Sequence, residues 1–167
     1  MKARYADIEK AIQLVLKEGA RPGGDERQVD TYFKIPTGKL KLRKIEGKTG
    51  ELIFYSREAG TRSEGAICRY MIYRTDRPEE LREVLASALG VDVEVRKRRL
   101  VYWIQNVKVN VDEVEGLGRF VEFEAQADRV GLPAARKQVE RLMDLLGIRL
   151  EDLVGKSYSD MIRESYL

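Results

Sequence analysis

The chain has no histidine and a single cysteine, and each shortage closes off chemistry. Without imidazole there is no histidine-based serine or cysteine triad, no histidine-ligated zinc and no histidine general base. The lone thiol, Cys68, can build neither an internal disulfide framework nor a multi-cysteine metal site, which fits a reducing compartment. No apolar run reaches the ~18 residues of a membrane span and the N-terminus lacks a signal-peptide pattern, so the sequence reads as cytoplasmic with no membrane partner. An excess of one charge is missing too: 31 Lys and Arg oppose 28 Asp and Glu, a net of +3, which gives no general case for nucleic acid. Acid–base chemistry must then come from carboxylates, lysines, tyrosines or a metal-bound water. Any metal would be hard and oxygen-bound, Mg²⁺ or Mn²⁺ ahead of zinc.

At 167 residues the chain reads as one domain, 1–167. Asp7 is placed to cap a helix over 8–18 whose inward stripe is Ile8, Ala11, Ile12, Val15 and Leu16, and Gly19 ends it. The Pro and glycines of 21–25 read as a loop. Strands are expected at 28–34, 39–45, 51–57 and 67–73, with a polar loop over 58–65. Pro78 opens a second helix with Leu81, Val84, Leu85, Ala88 and Leu89 inward and Gly90 at its end. Further strands are expected at 93–99, 100–105, 107–111 and 120–126, the last two joined through 115–118. A third helix runs from Pro133 to Gly147, followed by short helical pieces over 150–167. Helix then strands, twice, hints at two similar halves.

Four strands alternate charged and apolar residues. At a period of two, Lys39, Lys41 and Arg43 share one face, Glu51 and Arg57 a second, Lys108, Asn110 and Asp112 a third, Glu122 and Glu124 a fourth. Such faces are ordinary when solvated and become a site when the sheet curls over them. Converging cations would each repel a neighbour by roughly 4 kcal/mol at 4 Å and an effective dielectric near 20, so convergence implies a bound polyanion. Clustered carboxylates at Asp112, Glu122 and Glu124 repel likewise, and the usual remedy is a divalent cation; surface ion pairing is the plainer alternative. Tyr102 and Trp103 beside the basic run 96–99 suggest single-strand nucleic-acid binding, but adjacent strand positions point to opposite faces, so packing is the better reading and nucleic acid is disfavoured. Cys68 reads as a small core residue.

The ordered words Asp30-Thr31-Tyr32-Phe33, Gly38-Lys39-Leu40-Lys41-Leu42-Arg43, Glu51 through Arg57, Lys97-Arg98-Arg99, Val111 through Gly118, Phe120-Val121-Glu122-Phe123-Glu124 and Ser157-Tyr158 cover nearly the whole chain. In these words the sequence resembles the CYTH family, the triphosphate tunnel metalloenzymes that include class IV adenylate cyclases and thiamine triphosphatases. The resemblance implies an α+β fold: a closed eight-stranded antiparallel β-barrel with helices packed outside and a triphosphate in its lumen. Carried over by position, Lys2, Lys39, Lys41, Arg43, Arg57, Arg62, Lys97, Arg99 and Lys108 would hold phosphate. Asp112, Glu122 and Glu124, with Glu51 as a weaker candidate, would hold Mg²⁺ or Mn²⁺, and Asp112 and Lys97 would be catalytic. The wording is nearest the cyclase branch, which converts ATP to cyclic AMP and pyrophosphate. The alternatives are a thiamine or inorganic triphosphatase acting on thiamine triphosphate or tripolyphosphate, and a binding module without turnover, in each case as a monomer or homodimer. Two departures stand out. The family's opening Glu-x-Glu-x-Lys is matched only by Lys2, so its two glutamates would fall before Met1, and upstream in-frame codons are expected to encode them. A lysine common just before Cys68 is Ala66 here, with Arg62 as substitute.

Overall fold

The computed structural model describes residues 1–58 and 67–166. Eight antiparallel strands make one sheet: β1 (Lys2–Arg4), β2 (Arg21–Phe33), β3 (Lys39–Ile45), β4 (Gly50–Glu58), β5 (Ile67–Thr75), β6 (Val91–Ile104), β7 (Val107–Val114) and β8 (Gly118–Ala125). Their spatial order is β1-β8-β7-β6-β2-β3-β4-β5. Two runs of sequential neighbours, β2 to β5 and β6 to β8, are thus joined through the long β2–β6 ladder. Five helices accompany them: α1 (Ile8–Lys17), α2 (Pro78–Leu89), α3 (Ala127–Val130), α4 (Leu132–Leu146) and α5 (Tyr158–Ser165). None is long and apolar enough to cross a membrane.

Directly paired residues share a sheet face, so the register sorts the strands into two surfaces. One surface is apolar. Val107, Val109 and Val111 of β7 and Val121 and Phe123 of β8 are buried under α1 and α4, whose stripes of Ile8, Ala11 and Val15 and of Val139, Leu142, Met143 and Leu146 fill the main core. The Asp7 carboxylate accepts from the Lys10 amide and caps α1 as expected. The other surface carries the charged positions.

Several expectations need correction. The expected loop over 21–25 is the start of β2, which pairs onward to Trp103 with a register shift between Pro22 and Gly24. The shift absorbs a proline that cannot donate, and Gly23 is required because a Cβ there would stand 2.8 Å from the Trp103 ring. The expected break between residues 99 and 100 is absent, since β6 runs unbroken. The stripe of α2 is not buried: the helix leans on β2 and β3 and Pro78 packs on Gly50, but none of its residues is buried and Val84 is 63 % exposed.

Closure of the barrel is not made by hydrogen bonds: among the described residues no pairing joins β1 to β5. The free edge of β1 is instead taken by the C-terminal segment, where Ala3 bridges Leu153 and the Val154 amide donates to the Lys2 carbonyl at 2.7 Å. Nor do all helices lie outside. α5 packs on the charged surface, burying Tyr158 and Ile162 against Tyr32, Val93, Val95, Val114 and Phe120.

Candidate functional site

The charged surface holds two clusters, and the first is built around Asp30. On β2 the alternation puts Gln28, Asp30 and Tyr32 on this face, and the register sets Asp30 opposite Arg43 of β3 and Val95 of β6. Arg43 grips the carboxylate with two bonds, Nε at 2.7 Å and Nη2 at 2.8 Å. Lys41 donates to it at 2.8 Å and Lys97 at 3.1 Å. Asp30, Lys41 and Lys97 are buried, and Arg43 is nearly so. Burial by itself would raise the Asp30 pKa, but Arg43, Lys41 and Lys97 outweigh it and hold the carboxyl well below its usual range. The lysines are lowered as well, but by burial: together with neighbouring guanidinium charge it brings Lys41 to about 7 and Lys97 to about 8 despite Asp30.

The second cluster inverts the first, with one guanidinium among carboxylates. Arg99 donates to Asp112 through Nε at 2.7 Å and Nη2 at 2.6 Å, to Glu122 at 2.8 Å, and stands 3.5 Å from Glu124. Asp112 also accepts from the Tyr158 hydroxyl at 2.7 Å, so α5 is tied to the cluster. Burial pushes Glu122 upward, yet Arg99, Lys2 and the N-terminal ammonium lower it to about 2. Asn110, opposite Glu122 in the register, donates its amide to Glu124 at 2.9 Å while its buried carbonyl oxygen has no partner among the described residues. Lys2 also faces Glu122, and its ammonium lies 4.1 Å from the centre of the Tyr158 ring. Lys108 is 4.0 Å from Glu124.

At one end of the face α5 engages Lys39, whose ammonium donates to Ser157 at 2.5 Å, Ser159 at 3.0 Å and Asp160 at 2.7 Å. Ser157 and Asp160 also form the capping box that starts α5, so the residues that begin the helix are those that hold the lysine. Clefts among the described residues include one of about 320 Å³ beside Tyr32, Lys34, Lys39, Asp92 and Arg163, and one of about 470 Å³ among Asp25, Arg27, Glu46 and Arg98. The centres of the two clusters are filled by their own ion pairs.

The structure therefore places Lys41, Arg43 and Lys97 together, and Arg99 with Asp112, Glu122 and Glu124 beside them. Lys2, Lys39 and Lys108 border these groups. Glu51 does not join the carboxylates: it lies on β4, opposite Arg43 in the register, and pairs with Arg74 at 3.4 Å. Arg62 and the side chains of Arg57 and Cys68 fall outside the described residues, as does the expected loop from residue 59. Among the described residues no three His, Cys, Asp or Glu form a group that could hold a metal by themselves.

The inference that converging cations need a polyanion is also corrected, because Asp30 is an internal counter-ion for all three. Its role was missed although it stands in the matching word Asp30-Thr31-Tyr32-Phe33. The available signal was an acid in the middle of a strand otherwise rich in β-formers. Tyr158 was equally missed as a partner of Asp112, and no local pattern links positions so far apart in the chain.

The CYTH domain profile matches residues 1–158, and the chain belongs to that family. Among solved structures, it superimposes on the PH1012 protein of Pyrococcus horikoshii with a TM-score of 0.86 at 24 % identity, covering 95 % of both chains. A Vibrio parahaemolyticus protein proposed to be an adenylate cyclase matches at a TM-score of 0.80 and 17 % identity, over 97 % of this chain and 95 % of that one. The Pct1 RNA triphosphatase of Schizosaccharomyces pombe matches more distantly, at 0.51 and 13 % identity over 92 % and 70 %. These likenesses establish the fold. No curated protein sequence matches the chain significantly.

Proposed function

We propose that the protein binds an organic triphosphate along its charged face and, with Mg²⁺ or Mn²⁺, catalyses class IV adenylate cyclase-like chemistry, turning ATP into cyclic AMP and pyrophosphate. One observation carries this reading: adjacent clusters of opposite residual sign, three cations on Asp30 and three carboxylates around Arg99. Lys97 and Arg99, two positions apart on β6, connect them within ~7 Å. A triphosphate supplies the negative charge the first cluster lacks, and a divalent cation the positive charge the second lacks.

In this reading Lys41, Arg43 and Lys97 exchange part of their contact with Asp30 for phosphate oxygens, with Lys2, Lys39, Arg57, Arg62 and Lys108 around them. Charge-assisted bonds of this kind fix the phosphates in line for reaction. Mg²⁺ sites in nucleotide enzymes need only one or two carboxylates, the other ligands being phosphate and water. Glu122 and Glu124 fit that demand, and the unpartnered carbonyl oxygen of Asn110 adds a neutral donor. The metal, when bound, would offset charge on the reacting phosphoryl group. Asp112, engaged through both oxygens by Arg99 and Tyr158, acts by orienting Arg99. In cyclisation the ribose 3′-oxygen bonds to the α-phosphorus, the bond from that phosphorus to the bridging oxygen breaks, and pyrophosphate leaves. The hydroxyl proton passes to solvent, and Lys97, kept as an ammonium by Asp30 and the phosphates, offsets charge developing on the α-phosphoryl group.

Incubation with ATP, thiamine triphosphate or tripolyphosphate and either metal, followed by product identification, tests the proposal. Cyclic AMP with pyrophosphate is the expected result. Orthophosphate alone would replace cyclisation by hydrolysis, and unchanged substrate in every arm would remove catalysis.

A further inference from the structure

Past Lys39 and Lys41 the charged face continues into positions that carry no charge. Tyr55 of β4 lies opposite Lys39 and Tyr70 of β5 lies opposite Tyr55; one step along, Ile53 faces Lys41 and Ile72 faces Ile53. Paired residues share a face, so Ile53, Tyr55, Ile72 and Tyr70 form an apolar, aromatic strip bordering the cations. The border is a physical contact: the Lys41 ammonium that bonds Asp30 is 5.7 Å from the centre of the Tyr55 ring and 5.5 Å from that of Tyr32. At the far side of the strip Tyr70 is 63 % exposed and Ile72 42 % exposed, on a face whose central residues are buried. From the Lys41 backbone to that of Tyr70 the sheet spans about 12 Å, two strand spacings and one same-face step.

We infer that Tyr70 and Ile72 are the subsite for the ring-bearing part of an organic triphosphate, and that they make the protein prefer such ligands to inorganic tripolyphosphate. This deepens the triphosphate reading and rests on it. Phosphates anchored on Lys41, Arg43 and Lys97 leave the substituent pointing along the strip, where a flat ring covers the Tyr70 face and removes Ile72 from water. An inorganic chain has nothing to place there. The recognised chemistry is an aromatic ring joined to a triphosphate, and a nucleotide and thiamine triphosphate both present it.

Isothermal titration of the whole protein in Mg²⁺ with ATP, thiamine triphosphate and tripolyphosphate, for the unaltered chain, Tyr70→Ala and Tyr70→Phe, tests the subsite. Tyr70→Ala should weaken the ring-bearing ligands about tenfold, in line with the loss of one stacking partner, and leave tripolyphosphate unchanged; Tyr70→Phe should keep ring affinity. A loss for ATP alone assigns the strip to a nucleoside, and a loss for thiamine triphosphate alone assigns it to thiamine. Equal weakening of all three ligands, or weakening of none, overturns the inference while the triphosphate reading stands. An unaltered protein that binds none of the three overturns both.

Discussion

Around Asp30 one carboxylate serves three cations, and around Arg99 one guanidinium serves three carboxylates; the two clusters lie side by side on the same buried face. Each solves the same problem, the burial of like charges, by placing a single opposite charge at the centre. The solutions leave residues of opposite sign. A cluster left two unit charges from neutrality keeps enough compensation to fold and still attracts a ligand of the missing sign. The apolar face of the same strands shows the contrast in kind: there, packing of valines on α1 and α4 completes the structure and leaves nothing for a ligand to add.

The largest effects should come from removing either centre. Asp30→Ala and Arg99→Ala each leave buried like charges uncompensated and should destabilise the fold by about 3–5 kcal/mol in chemical denaturation. Tripolyphosphate should restore melting temperature to Asp30→Ala, and Mn²⁺ should restore it to Arg99→Ala. Identical responses of both variants to both ligands would abolish the distinction between the clusters.

Arg43→Ala comes next, with a loss of about 2 kcal/mol in tripolyphosphate binding for a charge-assisted contact. Calorimetry that finds no change would take Arg43 out of the phosphate side.

A smaller signal lies in protons. Lys41 and Lys97 sit at about 7 and about 8 in the folded protein, below the 10.5 of an ordinary lysine. Between those values and 10.5 the unfolded chain binds more protons than the folded one, so these two groups make stability rise with pH across that window. Below about 7 both states are protonated and the contribution is flat. A bound triphosphate favours the ammonium forms, so binding near pH 8.5, about midway through the window, should take up protons. Titrations in buffers of different ionisation enthalpy read this directly, and absence of uptake would mean the lysines do not meet the phosphates.

The smallest effect expected is at the rim. Asp160→Asn loosens the hold of α5 on Lys39 and should tighten tripolyphosphate binding by about 0.5 kcal/mol, the scale of a partly exposed ion pair. A weaker complex would instead make Asp160 part of the binding surface.

Much of this arrangement follows from order along the chain. A period of two in 39–43, 107–112 and 120–124 assigns the faces, since alternate side chains of a strand must point to opposite sides. Asp7 and Gly147 bracket helices that are found where expected. What local pattern did not reveal was continuity through 21–25, where Pro and Gly imitate a loop but long pairing with β6 overrides their preference. The missing signal for Asp30 and Tyr158 is of the same origin: their partners lie across strands or at the opposite end of the chain.

The sequence by itself determined which side chains share a face and that bases and acids over the whole chain nearly balance, 31 against 28, because both depend only on period and residue type. Only the tertiary structure decided which acid neutralises which base, that α5 lies over the charged face, and that the β1 edge goes to the C-terminal segment and not to β5. Those outcomes depend on strand order and register, which bring together residues far apart in the chain, and ionic interactions at hydrogen-bond distance are settled by that proximity alone.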